Sequence, residues 1–320
     1  MARINLIGWQ NQAGLSRDLA VVARTLSGAG HEVEVHGWTP PRRPVRAWMR
    51  WRASGRPWDL AIFMERAVGA WMELARRSVL IPNPEWFVGA PEGLSAIWCK
   101  SRDALDRLQS TGLALEYLGF STPSSQTPAP GPRQWRRALH VAGRSRTKGT
   151  VPLLQVWSRH PDWPELVVVA ETERVPLPNL PPNVSLLDRF VDEETIARLQ
   201  QECGLHLLPT EVEGFGHTLV EGTRCGAVVL TTDAPPMNEI VTGDRGVVVG
   251  WHRTAEMRRG RRFEVDPDAL EQAILDLLGW PEDRLLEVGR RAQAWYQSNH
   301  QQFEQRLIQL VERTLASDRS

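Results

Sequence analysis

The chain has 320 residues, of which 42% are hydrophobic and 24% charged, and its formal net charge at pH 7 is zero. This balance excludes a disordered chain, and the length favours two domains of roughly 150 residues each. The three cysteines show no Cys-x-x-Cys spacing, which argues against a disulfide framework and a cysteine-based zinc site.

Short apolar runs alternate with amphipathic helical patterns along the first 120 residues. The predicted strands are 4–9, 33–38, 60–65, 79–83, 96–100 and 115–120. After the first strand, Leu15, Leu19, Val22 and Leu26 recur at helical spacing. Strand and helix repeated in this way predict right-handed crossovers and a parallel sheet that is covered on both faces.

Residues 42–56 form a basic segment between the second and third predicted strands. Its arginines, interleaved with Trp48 and Trp51, are Arg42, Arg43, Arg46, Arg50, Arg52 and Arg56. Two interpretations are open: a solvated basic loop, or a surface that docks on anionic lipid headgroups or an acidic glycan. No signal-peptide layout and no run of ~18 apolar residues is found. We therefore expect a cytoplasmic protein, with any membrane contact peripheral and at the inner face.

The apolar pattern is interrupted by Pro, Ser and Gly at residues 121–136 and then restarts. We assign residues 126–136 to a linker between domain 1–125 and domain 137–280, and expect residues 281–320 to be helices that brace the first domain. The strands predicted for the second half are 138–143, 166–170, 184–190, 205–210, 228–233 and 246–250. The predicted fold is α/β, with two Rossmann-like parallel-sheet domains facing a central cleft and a C-terminal helical segment.

The most informative segment is residues 207–233. A strand ends near Pro209, a glycine-bearing loop follows, and a helix begins near His217. The free N–H groups at such a helix start form a site for phosphate or for a sugar hydroxyl. Glu213 lies in the loop and Glu221 in the helix, with seven residues between them, so both side chains are predicted to point to the same side of the cleft.

A Glu-x7-Glu spacing after a strand, with Gly-Phe-Gly behind the first Glu, resembles the retaining glycosyltransferases of the GT-B fold, family 4 in particular. The resemblance implies that Glu213 contacts the sugar of a nucleoside-diphosphate sugar and that Glu221 contacts its ribose. The other donor-binding residues of this segment are Gly214, Phe215, Gly216, His217 and Thr218. Two solvated helix carboxylates are the plainer interpretation, and the flanking strand and loop favour the functional one.

A second segment, residues 142–170, places Arg144 and Lys148 between a strand and a helix that begins near Gly149. Two cations beside a helix start suit a pyrophosphate whose charge grows as the sugar leaves. The segment resembles the phosphate-binding Arg-Lys pair of the same family; a solvated basic loop is the alternative. Lys148 stands out because it and Lys100 are the only lysines among 38 basic residues.

The resemblance extends to further residues. The loop after the first strand resembles the family's N-terminal glycine loop, with Gly14 alone where a pair of glycines is common. Gly14 is assigned to the donor phosphates, and a simple turn before the helix is the alternative. Separately, the region around Arg189 and Phe190 is expected to hold the base. Many family members carry a His after a central strand of the first domain, where this chain instead reads IPNPEWF, residues 81–87. The residues expected to face the acceptor are Asn83, Glu85, Trp86 and Lys100.

We therefore predict a hexosyltransferase-type enzyme that transfers a sugar from a nucleotide sugar to a glycan, a lipid-linked glycan or another acceptor, with retention as the resemblance implies. No Asp-x-Asp lies where a strand loop would present a metal, so Arg144, Lys148 and the helix start replace the cation. We expect no metal, no other cofactor and no nucleic-acid partner. Two functions remain open: a nucleotide-sugar epimerase of the same architecture, and a non-catalytic relative that binds a glycan or a partner.

Overall fold

The computed structural model describes residues 1–9, 14–123, 133–175, 177, 179–188 and 191–316. The chain divides into two compact units. The first comprises Met1–Pro123, Arg258–Gly260 and Asn299–Ser320, and the second comprises Ser124–Met257 and Arg261–Ser298.

The first unit is built on a six-stranded parallel sheet in which all six predicted strands are confirmed. Its elements are β1 (Arg3–Ile7), α1 (Gly14–Gly28), β2 (Glu32–His36), α2 (Arg43–Arg52), β3 (Trp58–Met64), α3 (Gly69–Met72), β4 (Ala75–Ile81), β5 (Ala96–Cys99), α4 (Arg102–Leu108) and β6 (Leu115–Tyr117). The strand order is β2-β1-β3-β4-β5-β6. The last five residues of β3 are buried, as expected of a central strand covered on both faces.

The second unit repeats this architecture. Its elements are β7 (Gln134–Gly143), α5 (Thr150–Trp157), β8 (Leu166–Ala170), β9 (Val184–Leu187), α6 (Glu193–Glu202), β10 (Cys203–Leu208), α7 (His217–Cys225), β11 (Val228–Thr232), α8 (Met237–Ile240), β12 (Val247–Val249), β13 (Trp251–Met257), β14 (Gly260–Val265), α9 (Pro267–Leu278) and α10 (Glu282–Ala316). The order of its parallel sheet is β12-β11-β10-β7-β8-β9. Strand β7 begins at Gln134, inside the stretch assigned to the linker, and strands β13 and β14 form a separate two-stranded sheet that the sequence analysis did not predict.

Helix α10 is shared between the units. Residues from Asn299 onward belong to the first unit, where Phe303 packs against Phe120 with ring centroids 5.0 Å apart. In the same unit the side chain of Arg306 donates to the carbonyl oxygen of Leu118 at 2.7 Å.

Each sheet has one point at which the strand order reverses. In the first sheet the chain runs from β1 outward to β2 and returns to β3 on the other side of β1. In the second sheet it runs from β7 outward to β9 and returns to β10 on the other side of β7. Ligands of open parallel sheets bind outside the carboxyl ends of the strands at such points. The fold therefore directs attention to the loops after β1 and β3 and to those after β7 and β10.

Candidate active site

Two helices of the second unit begin at its reversal point, and each begins after a glycine. Gly149 precedes α5 with φ 68°, and Gly216 precedes α7 with φ 102°, both in the left-handed region that favours glycine. Because glycine has no side chain, neither residue caps the free N–H groups of the first helical turn. Two uncompensated helix starts therefore lie after neighbouring strands, which is a favourable arrangement for an anion.

The loops that carry these glycines are in direct contact. A Cβ added to Gly149 would lie 2.0 Å from the carbonyl oxygen of Pro209, so only glycine fits there. The main-chain N–H of Glu211 donates to the oxygen of Thr147 at 2.8 Å, and the Thr210 hydroxyl oxygen lies 3.2 Å from the same oxygen. The loop after β7 and the loop after β10 thus form one structural unit.

Lys148 and Glu213 meet at this junction. The Lys148 ammonium donates to Oε1 of Glu213 at 2.5 Å, and the Thr210 hydroxyl donates to the same oxygen at 2.8 Å. Their side chains are 15% and 11% exposed, so the pair is largely shielded yet open to a ligand. The structure therefore brings together two of the three predicted catalytic residues, as a direct ion pair.

Arg144 lies in the same loop but has a different partner. Its Nε donates to Oε1 of Glu171, which follows β8, at 2.7 Å, and its side chain is 47% exposed. The predicted pair of Arg144 and Lys148 thus consists of two cations held by separate carboxylates, because Lys148 is drawn toward Glu213.

Glu221 is buried, whereas the sequence analysis expected it to point into the cleft beside Glu213. It is 6% exposed, and Nε2 of Gln200 in α6 donates to its Oε2 at 2.8 Å. Its position as the fifth residue of α7 turns the side chain toward Gln200 in α6. No pattern in the sequence indicated Gln200 as a partner of Glu221.

Three further residues that the resemblance assigns to the sugar donor flank the start of α7. The rings of Phe215 and His217 meet edge to face, with centroids 5.4 Å apart. The Thr218 hydroxyl is buried and has no hydrogen-bond partner among the described residues. A buried hydroxyl without a hydrogen-bond partner is unfavourable, so a ligand that accepts a hydrogen bond from Thr218 would stabilise this loop.

His140 in β7 contacts the residues next to both loops, and no sequence pattern indicated this role. Its Nε2 lies 2.8 Å from the hydroxyl of Thr150 in α5, and its Nδ1 lies 2.6 Å from the carbonyl oxygen of Leu207. A carbonyl only accepts, so Nδ1 carries the proton and Nε2 accepts from Thr150. Full burial lowers the pKa of His140 to about 4, which keeps the ring neutral.

The expected acceptor residues lie in the first unit. Asn83 Oδ1 accepts from the Lys100 ammonium at 2.9 Å, so these two are brought together. Trp86 is 52% exposed, and the guanidinium of Arg258 lies over its ring. Glu85 is buried. A Cβ added to Gly260 would lie 2.8 Å from the Cβ of Glu85, so the start of β14 covers Glu85.

Some predicted residues cannot be placed in this way. Arg189 and Phe190 lie outside the described residues. Gly14 opens α1, but the four residues before it lie outside the description as well. Among the residues that the structure describes, no group of three or more His, Cys, Asp and Glu side chains is arranged to hold a metal ion. Within the same residues, no helix is long and apolar enough to cross a membrane.

Comparisons with known proteins agree with the architecture. Residues 178–260 match the family described as Glycosyl transferases group 1. No curated protein matches the sequence. Sucrose-phosphate synthase from Thermosynechococcus elongatus superimposes with a TM-score of 0.76 at 14% identity, covering 99% of this chain and 100% of that chain. The HepE protein of Anabaena in complex with UDP-glucose superimposes with a TM-score of 0.69 at 16% identity, covering 98% of this chain and 100% of that chain. A glycosyltransferase from Rickettsia africae superimposes with a TM-score of 0.71 at 13% identity, covering 98% of each chain. The predicted GT-B fold is confirmed.

Proposed function

We propose that this chain is a glycosyltransferase that moves a sugar from a nucleoside diphosphate to an acceptor, with retention and without a metal ion. The observation that carries the proposal is the pair of Lys148 and Glu213 at the two glycine-capped helix starts of the second unit. The match of residues 178–260 to the glycosyl transferases group 1 family supports it, because that stretch contains Glu213 and Glu221. HepE, which shares the fold, was solved with UDP-glucose.

The donor diphosphate is proposed to bind at the starts of α5 and α7. The main-chain N–H groups there and the Lys148 ammonium neutralise its oxygens, and Arg144 joins them by leaving Glu171. Once the diphosphate draws Lys148 away, Glu213 is free to accept hydrogen bonds from the sugar. The Thr218 hydroxyl donates a hydrogen bond to the ligand, and Glu221, oriented by Gln200, accepts a hydrogen bond from a ribose hydroxyl.

Further donor contacts remain as the sequence predicts them. Gly14 is proposed to approach the phosphates, and Arg189 and Phe190 to border the base. The transfer is proposed to occur on one face of the sugar. The bond from the anomeric carbon to the phosphate oxygen breaks, the acceptor oxygen bonds to that carbon, and the acceptor proton passes to the departing phosphate.

A screen of nucleotide sugars tests the proposal. UDP-glucose, GDP-mannose and ADP-glucose are added to the protein in EDTA, and the melting temperature and the release of nucleoside diphosphate are recorded. A true donor at about one hundred times its dissociation constant should stabilise the fold by about 2.7 kcal/mol. Turnover that EDTA abolishes and manganese restores would contradict the metal-independent mechanism. An altered nucleotide sugar formed without acceptor would indicate the epimerase, and binding without turnover the non-catalytic relative.

We also propose that α2 docks the enzyme on an anionic membrane surface at the cytoplasmic face. The segment is a helix and not a loop, and it contains no acidic residue. Its inner side is held by Met49, which packs on the core, and by Arg46, which pairs with Glu73 at 3.4 Å. Its outer side exposes Val45, Trp48 and Trp51, at 46%, 51% and 78%. An exposed tryptophan ridge among arginines suits the interface of anionic lipids.

A further inference from the structure

Four polar side chains form a continuous chain at the carboxyl edge of the first sheet. Asp18 Oδ2 accepts from the Lys100 ammonium at 2.5 Å, and Lys100 also donates to Asn83 Oδ1 at 2.9 Å. Asn83 in turn makes a side-chain hydrogen bond with Glu65. These residues come from α1 and from the segments after β3, β4 and β5, so the chain joins four distant parts of the sequence.

The hydrogen bonds from Lys100 through Asn83 to Glu65 run in one direction, from donor to acceptor. An ammonium only donates, so Asn83 uses its Oδ1 to accept from Lys100 and keeps its amide N–H to donate to the Glu65 carboxylate. The side chains of Lys100 and Asp18 are 2% and 3% exposed, so this end is fixed in the interior. Glu65 is the partly exposed end. The buried ion pair therefore orients Asn83, and Asn83 orients Glu65.

The backbone of Glu65 is strained. Its φ is 66°, in the left-handed region, which is unfavourable for a residue other than glycine. Two main-chain hydrogen bonds hold this conformation. The N–H of Glu65 donates to the carbonyl oxygen of Ile81 at 2.8 Å, and the N–H of Arg66 donates to the carbonyl oxygen of Met64 at 2.8 Å. Burial also raises the pKa of Glu65, although Lys100 and Asn83 act in the opposite direction.

Glu65 follows β3 directly, and β3 is one of the two strands that flank the reversal point of this sheet. A strained, oriented carboxylate at the place where open sheets bind ligands points to contact with a ligand rather than to packing. The charges of Asp18 and Lys100 offset each other, and the Arg258 guanidinium acts on the charge of Glu65, so this group of side chains carries no excess charge. A site without excess charge favours an uncharged ligand group, and the Glu65 carboxylate favours one that donates a hydrogen bond.

We propose that Glu65 binds the acceptor by accepting a hydrogen bond from a hydroxyl other than the attacking one, that Asn83 and Lys100 position Glu65, and that the acceptor group bound here is an uncharged sugar. This inference rests on the proposed sugar transfer. The donor groups in the second unit bind the diphosphate, and Glu65 selects what receives the sugar. The carboxylate orients the acceptor sugar, and the proton of the attacking hydroxyl passes to the departing phosphate as described above.

The test compares Glu65→Gln with Glu92→Gln, which removes the same charge from an exposed glutamate of the same unit. Three quantities are measured: the dissociation constant for UDP, the acceptor-free hydrolysis of the donor identified in the screen, and transfer to the methyl glycosides of glucose, galactose and mannose. Glu65→Gln should lower kcat/KM for transfer by roughly 10- to 100-fold, as expected for loss of a charge-assisted hydrogen bond. UDP binding and hydrolysis should stay within about twofold of the wild type, and Glu65→Asp should recover part of the transfer rate.

Other outcomes count against the inference. Transfer by Glu65→Gln at the rate of Glu92→Gln would show that the carboxylate does not contact the acceptor. A large fall in melting temperature together with weaker UDP binding would show that Glu65 has a structural role. Methyl glucuronide as a better acceptor than methyl glucoside, or a wild-type enzyme that hydrolyses its donor but uses none of the glycosides, would overturn the uncharged-sugar assignment. A wild type that neither binds nor turns over any nucleotide sugar would instead contradict the proposed function itself.

Discussion

Both lysines of the chain are paired with carboxylates at the carboxyl edge of a parallel sheet. Lys148 pairs with Glu213 in the second unit, and Lys100 pairs with Asp18 in the first, at 2.5 Å in each case. The remaining basic residues are all arginines. A compact ammonium fits between oxygens where a planar guanidinium does not, which gives a physical reason for lysine at these positions. Rarity in the sequence identified Lys148, but no sequence pattern indicated that Asp18 would meet Lys100.

Replacement of Lys148 should reduce turnover more than donor binding. Charge on the bridging oxygen grows as the glycosidic bond stretches, so a fixed cation stabilises the transition state more than the bound donor. Lys148→Ala should lower kcat by about a hundredfold to a thousandfold, and Lys148→Arg should recover only part of this. Arg146→Ala is the matched control, because Arg146 lies in the same loop and, among the described residues, its exposed side chain donates to the carbonyl oxygen of Arg174 and to no carboxylate. A raised KM with unchanged kcat in Lys148→Ala would refute the assignment.

The two glutamates should differ when they are replaced singly. Glu213 competes with the diphosphate for Lys148, so Glu213→Ala should bind bare nucleoside diphosphate as well as the wild type or more tightly, while turnover of the sugar donor falls. Glu221→Ala should weaken nucleoside-diphosphate binding, because the ribose loses its acceptor. Isothermal titration with the diphosphate separates these results. Equal weakening by both substitutions would exclude the division of roles.

At the scale of elements, buried structure was predictable and exposed structure was not. The strands of both parallel sheets are apolar runs, and the turn into α7 is marked by its glycines, so the sequence located them. Strand β13 has six of its seven residues exposed, and its side chains carry no apolar pattern that marks a strand. Helix α2 has no fully buried residue and contains Pro44 near its start, so its helical conformation depends on the contacts of Met49 and Arg46 rather than on an apolar face.

Helix α2 should bind vesicles through its charge and its tryptophans together. We expect the protein to co-sediment with phosphatidylcholine vesicles that contain about 30 mol% phosphatidylglycerol, and each arginine removed from α2 should weaken this roughly fivefold at low salt. Trp48→Ser with Trp51→Ser should weaken it at both low and high salt, since burial of the rings is not screened. Trp251→Ser serves as control, because Trp251 is exposed in the second unit. Equal and weak retention by anionic and neutral vesicles would exclude membrane docking.

At the scale of the whole molecule, the sequence predicted two parallel sheets, which the structure confirms, and it predicted ligand binding at the carboxyl edge of each. It could not predict which side chains meet at those edges. The series of side-chain hydrogen bonds from Asp18 to Glu65 passes through Lys100 and Asn83. The contact of Gln200 with Glu221 joins two helices. Such pairings depend on how distant segments pack, and single-sequence spacing contains no information about them. Glu65 ended a predicted strand, which was the one available signal of its position.

Two buried histidines of the second unit should make the stability of the protein depend on pH. Burial lowers the pKa of His140 to about 4 and that of His206 to about 3, against 6.5 for an ordinary histidine. Both rings are hydrogen-bonded in the interior, His206 through Nε2 to the carbonyl oxygen of Gln200 at 3.0 Å. Below pH 6.5 the unfolded chain therefore takes up protons that the folded chain does not, so stability is complete above pH 6.5 and falls as the pH is lowered.

Between about pH 7.5 and about pH 5, each histidine should remove roughly 2 kcal/mol from the free energy of unfolding. Chemical denaturation at the two pH values measures the change. In His206→Gln the amide still donates to the carbonyl oxygen but cannot titrate, so this variant should lose roughly 2 kcal/mol less over the same range, whatever its stability at the higher pH. The raised pKa values of Glu65 and Glu211 act in the opposite direction, and they cancel when the variant is compared with the wild type. His252→Gln, at an exposed position in β13, should keep the wild-type dependence, and an unchanged dependence in His206→Gln would show that this ring is not the group that titrates.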